Sequence, residues 1–74
     1  MTPAQCRAAR GLIKWNQDDL ATAAKVSVVT VRNFENEKSS PQRATIVVMN
    51  RALEAAGVEF IPENGGGAGV RLRR

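Results

Sequence analysis

QDDLATAAKVSVVTVRNFEN, residues Gln17–Asn36, is the stretch whose pattern decides how this chain folds. Leu20, Ala21 and Ala24, then Val26, Val31 and Phe34, recur at the spacing of two short helices joined by a tight turn. Ala21 is small where the two helices must cross, and Val26 is placed to plug the turn between them. Val31 and Phe34 stand one turn apart and pin the second helix to the first. Asn16 caps the first of the pair, ahead of Asp18 and Asp19, whose charges suit the positive end of a helix dipole. Ser27 caps the other, which runs over about residues 28–36. Two features depart from the usual pattern. Lys25 occupies a left-handed turn position where glycine is favoured, at a cost of about 1 kcal/mol. Val28 and Val29 stand on what reads as an outward face, where polar side chains would be expected.

On the N-terminal side, Thr2-Pro3-Ala4-Gln5 opens an earlier helix: Thr2 caps, Pro3 has the right φ, and Gln5 sits at the return position of a capping box. Ala9, Leu12 and Ile13, joined by Cys6, give its apolar stripe, and it is expected to run to about Lys14. On the C-terminal side, NEKSSPQ is a loop, and a fourth helix is expected from about Gln42 to Ala56, ending at Gly57. Ile46, Met49, Leu53 and Ala56 form its inner stripe. Val48, Ala52 and Ala55 form a second one, suited to burial or to a dimer seam. The alternation in VEFI and VRLRR, around PENGGGAG, reads as a β-hairpin. The chain is therefore expected to be mainly α. Residues 1–57 form a helical unit, and residues 58–74 form a hairpin or tail of the same domain.

At 74 residues the chain buries only roughly 60% of its unfolded surface, so self-association would help it. The single Cys6 forms no internal disulfide, and without histidine no zinc site is expected. No apolar run approaches the roughly 18 residues of a membrane span, so the expected compartment is the cytoplasm, at the nucleoid. The net charge of +4 owes most to Arg71, Arg73 and Arg74. Residues 1–70 carry 8 basic and 7 acidic side chains, so any argument for nucleic acid must rest on pattern rather than on charge.

That pattern is a helix-turn-helix, which leaves the outer face of the third helix free to enter a major groove. The stretch RAARGLIKWNQDDLATAAKVSVVTVRNFENEKSSP, from Arg7 to Pro41, resembles the Xre family of bacterial and phage repressors, with their lambda-repressor-like fold. The ending ALEAAGVEFIPENGGGAGVRL is similar to that of many short alphaproteobacterial members, where the phage repressors usually have a fifth helix. The resemblance implies a salt bridge between Arg10 and Glu35. It also implies DNA contacts at Ser27, Val28, Val29, Arg32 and Asn33, with Gln17, Thr30 and Lys38 as phosphate contacts. Arg32 suits guanine or phosphate, Asn33 suits adenine, and valine methyls can meet a thymine methyl.

The expected function is sequence-specific binding of double-stranded DNA by a homodimeric transcriptional regulator, a repressor or autoregulator. Dimer contacts are expected through the fourth helix, through the strand edge at Val58–Ile61, or through both. The alternative is a protein-interaction module of antitoxin or antiactivator type, for which Val28 and Val29 would form the contact. Catalysis is not expected, because the chain has neither histidine nor tyrosine, and no activated nucleophile is paired with a base. ENGGGAG lacks the Lys-Ser/Thr ending of a phosphate-binding loop. No cofactor and no small-molecule substrate are expected.

Overall fold

Four helices and one hairpin follow in chain order in the computed structural model, which describes residues 1–63 and 65–73. They are α1 (Pro3–Leu12), α2 (Gln17–Ala24), α3 (Val28–Glu35), α4 (Arg43–Ala55), β1 (Val58–Ile61) and β2 (Gly69–Leu72). Residue 64 of the hairpin loop and residue 74 of the basic ending lie outside the described residues. The expected fold class, a mainly helical lambda-repressor-like domain with a C-terminal hairpin, is the one observed.

Three N-caps form where the sequence places them. Thr2 and Gln5 close a reciprocal capping box, and Asn16 and Asp19 close a second. Ser27 Oγ accepts from the backbone N–H groups of Val29 and Thr30. The helix ends share a less obvious device. At the end of α1, Trp15 N–H donates to the Arg10 carbonyl and Lys14 N–H to that of Gly11. Val26 and Lys25 repeat this on Ala21 and Thr22, and Lys38 and Glu37 on Asn33 and Phe34. These are paired C-terminal bonds of the Schellman type, and each needs a left-handed residue at its turn. Lys14, Lys25 and Glu37 supply it, at φ of 59°, 60° and 59°. α1 therefore stops at Leu12 instead of continuing through Lys14. Only α4 ends on glycine, with Gly57 at φ 105°.

The core is built from Cys6, Ala9, Leu20, Val31, Met49, Leu53 and Val58, all fully buried, closed in by Ala21, Ala24 and Phe34. Trp15 and Val26, each just past a left-handed turn, fold back onto it. Two expectations change here. Leu12 is not part of the stripe: it lies in the last turn of α1 and is 39% exposed, while Ile13 and Trp15 pack against the core. Of the two roles expected for the second stripe of α4, burial within the chain does not hold, since Val48 and Ala55 are exposed and only Ala52 packs inward.

β1 and β2 pair antiparallel, with Val58 opposite Leu72 and Ile61 opposite Gly69. Val58, Phe60 and Val70 face the core, and Glu59 and Arg71 pair at 2.8 Å on the other face. β2 lies on α1 and β1 on α4, so the hairpin closes over the face that these two helices share. Gln5 fastens it. Its Oε1 accepts from Thr2 N–H, while its Nε2 donates to the Gly69 carbonyl at 3.0 Å and to that of Ile61 at 3.4 Å. No helix among the described residues is long and apolar enough to cross a membrane.

Two substitutions test this scheme. Gln5→Ala leaves two half-buried carbonyls of the hairpin without this donor and is expected to cost about 1–3 kcal/mol in urea unfolding, with faster amide exchange confined first to β1 and β2. Lys25→Gly relieves a left-handed turn and is expected to raise stability by about 0.5–1 kcal/mol in the same assay.

Candidate nucleic-acid interface

α3 presents an outward face that begins at Ser27 and runs through Val29, Arg32 and Asn33 to Asn36. Val29 is 50% exposed, Ser27, Arg32 and Asn36 are exposed, and Asn33 and Thr30 are half-buried along the margins. Lys38 follows in the exposed turn after the helix. Neither of the ion pairs among the described residues engages Arg32 or Lys38, so both cations face water. Asn36 was not singled out from the sequence, although its place four residues after Arg32 puts it on the same face.

Val28 belongs elsewhere. It is half-buried and packs against the core, whereas Val29 points out. The reason is periodicity: Val28, Val31 and Glu35 fall at i, i+3 and i+7, the inner stripe of α3. The outward valine pair expected from the sequence is thus a single outward valine.

The inner stripe ends on a carboxylate. Glu35 is 1% exposed and surrounded by donors. Arg10 grips it with two nitrogens, Nε to Oε2 and Nη2 to Oε1, each at 2.6 Å. Gln17 Nε2 donates to Oε1 at 3.0 Å and Cys6 Sγ to Oε2 at 3.1 Å. The third Arg10 nitrogen, Nη1, donates to the Trp15 carbonyl at 3.0 Å, and Arg7 Nη1 donates to the Glu35 carbonyl. Burial alone pushes the Glu35 carboxyl up. The hydrogen bonds from Arg10, Gln17 and Cys6, together with the Arg10 charge, outweigh it and hold the group below its ordinary value of 4.5. Burial and the neighbouring Glu35 push the Cys6 thiol up, so it remains a protonated donor.

The salt bridge between Arg10 and Glu35 is therefore formed, at 2.6 Å. Gln17 differs from its expected role as a free phosphate contact. It is half-buried and tied inward to Glu35, with Asp18 and Asp19 exposed beside it. One N–H of its amide remains for an outside acceptor. Ser27 is also engaged, as the cap of α3, and keeps its own hydroxyl proton to donate.

A family model described as helix-turn-helix matches residues 7–59, which take in all of α2, α3 and α4. No curated protein matches the chain.

The buried carboxylate makes stability depend on pH in a defined sense. Because the folded state holds the Glu35 carboxyl low, its contribution is complete above about pH 4.5 and is lost as pH falls through the lowered folded value. The urea midpoint is expected to drop below that pH. Arg10→Ala leaves the buried Glu35 carboxylate without its cation and is expected to cost about 3–5 kcal/mol, and Glu35→Ala, which leaves the half-buried Arg10 its bond to the Trp15 carbonyl, is expected to cost less. The double variant Arg10→Met/Glu35→Leu is expected to be less damaged than either.

Proposed function

The chain belongs to the helix-turn-helix family of DNA-binding regulators, and on that premise we propose that it acts as a homodimeric, sequence-specific transcriptional regulator, repressing its target operon by placing α3 in the major groove. The observation that carries this reading is the outward stripe Val29, Arg32, Asn33 and Asn36, on a helix whose other face is locked by the buried Glu35. Arg32 donates two parallel hydrogen bonds to guanine, and the Asn33 amide meets the edge of adenine. The Val29 methyls pack on a thymine methyl or a sugar. Lys38, Ser27 and Thr30 hold phosphates, and Gln17 adds its remaining N–H to one. Two copies of α3, about one helical turn of DNA apart, read a pseudo-palindromic operator on the chromosome in the cytoplasm.

A second reading has one observation in its favour, the 50% exposure of Val29 at the centre of this face. In it, α3 docks on a partner protein. The two readings part on ionic strength. A contact made through several phosphates weakens steeply with salt, and a valine-centred protein contact hardly responds.

Selection from random duplexes, followed by titration of the recovered site at two salt concentrations, tests the proposal. The recovered sites are expected to have two-fold symmetry. Arg32→Ala is expected to lose about 1–3 kcal/mol per half-site and to relax specificity at one base pair, while Lys38→Ala weakens all sequences alike and lowers the salt slope by about 1 per protomer. Selection that enriches no sequence, or an Arg32→Ala protein that binds as tightly as the parent, would refute the assignment.

A further inference from the structure

α2 opens on Asp18 and Asp19, and α1 closes with Arg10, where their own dipoles favour those charges. α3 carries Arg32 in its last turn, and the acid that ends it, Glu35, is paired with Arg10. α4 inverts the rule. It has no acid in its first turn and no base in its last, Arg43 is its first residue, and Glu54 stands one before its end. Its N-cap, Gln42, makes no side-chain bond either. Each of these charges faces the like-signed end of the helix dipole, so within one copy the placement is unfavourable.

The same helix leaves its outer surface uncovered. Ala44, Val47, Val48, Arg51 and Ala55 are exposed, while Met49 and Leu53 face the core. At about 100° per residue, Ala44, Val47, Arg51 and Glu54 fall on one stripe opposite Met49, with Arg43 flanking it on the Glu54 side.

We infer that a second copy of this chain packs its α4 antiparallel against this stripe, about a twofold axis at the level of Met49. The inference rests on the dimer reading above and names the surface that makes the dimer. In this register, residues whose numbers sum to about 98 stand level across the seam. Val47 meets the aliphatic stem of Arg51, and Arg43 meets Glu54 on the same flank, twice by symmetry. Arg43 then lies at the C-terminal end of the other α4 and Glu54 at its N-terminal end, so charges misplaced within one helix are complemented by the neighbour's dipole as well as by each other.

One pair of 13-residue helices covers less than the roughly 1,200–2,000 Å² of a stable complex. The seam is accordingly weak in free solution. It closes on DNA, where adjacent half-sites hold the copies at high effective concentration.

Sedimentation of the full chain alone, from micromolar to millimolar concentration at low salt, tests this without DNA. The parent is expected to show a concentration-dependent monomer–dimer equilibrium. Val47→Glu and Arg43→Glu are each expected to weaken it about tenfold, and Arg43→Glu/Glu54→Arg to restore it to within about threefold of the parent. The charge swap suits the dipole of α4, so circular dichroism is expected to report an intact fold. A parent that stays monomeric throughout, or a double swap as weak as Arg43→Glu alone, overturns the seam. So does an Arg43→Glu protein that self-associates normally and loses only DNA retardation, an outcome that leaves the DNA reading standing. Intact self-association with the expected swap behaviour, in a parent that selects no DNA, supports the seam and sinks the DNA reading instead.

Discussion

A carboxylate with 1% exposure stays ionised only if donors from the protein replace the water it has lost, and Glu35 draws those donors from separate places in the chain. Arg10 and Cys6 come from α1, and Gln17 comes from the first position of α2. Glu35 itself is the last residue of α3. Helical side chains that converge on one carboxylate cannot slide past one another without breaking a charge-assisted bond, so α1, α2 and α3 are held at one mutual angle. The third Arg10 nitrogen extends the constraint to the Trp15 carbonyl, in the turn that aims α2. An apolar residue at position 35 would pack without specifying such an angle. The outward stripe of α3 inherits its direction from this lock.

Much of the fold was legible in the sequence, because caps and core periodicity are local. Thr2, Asn16 and Ser27 announce their helices through side chains that bond within three residues, and Leu20, Val31, Met49 and Leu53 repeat at helical spacing. What was misread depended on partners distant in sequence. Gln5 reads as half of a capping box, and nothing local shows that its amide also reaches the Ile61 and Gly69 carbonyls, more than fifty residues away. Leu12 fits an apolar stripe, yet nothing packs over its side chain, which stays 39% exposed while Ala9 in the same turn is buried. The bond between Arg10 and Glu35 entered only through family resemblance, since spacing alone pairs no residues 25 positions apart. The placement of Val28 was different. Its spacing to Val31 and Glu35 gave the inner stripe directly, but a carboxylate does not read as a core residue, so the stripe was not recognised.

The electrostatics favour a partner-dependent reader over a tight monomeric one. Arg10 is committed to Glu35, Arg7 to the Glu35 carbonyl, and Arg71 to Glu59, so these basic residues are occupied within the chain. Near α3 the exposed cations are Lys25, Arg32 and Lys38, with Glu37 among them. Each phosphate neutralised contributes about 0.9 to the salt slope, so one protomer gains little from counterion release and would hold non-specific DNA weakly. Low non-specific affinity has a use. It keeps a small regulator from being absorbed by the rest of the chromosome, provided that specific contacts supply the difference.

The supply of specific contacts argues for two copies. Under the proposed reading, base-directed hydrogen bonds come from Arg32 and Asn33, each worth about 1–3 kcal/mol of discrimination, whereas Val29 adds only methyl contact and shape. A single protomer therefore discriminates by roughly 2–6 kcal/mol, which reaches only the lower part of the roughly 4–10 kcal/mol that separates specific from non-specific binding. Two protomers, at roughly 4–12 kcal/mol, span that range, provided that a shared surface makes their half-sites bind together. A strong free dimer is not needed for this, because adjacent half-sites raise the effective concentration of one copy for the other. Under the proposed reading, a chain with sparse base readout and a near-neutral body would gain specificity from self-association, and the uncovered, charge-inverted outer face of α4 is the surface where such association would act.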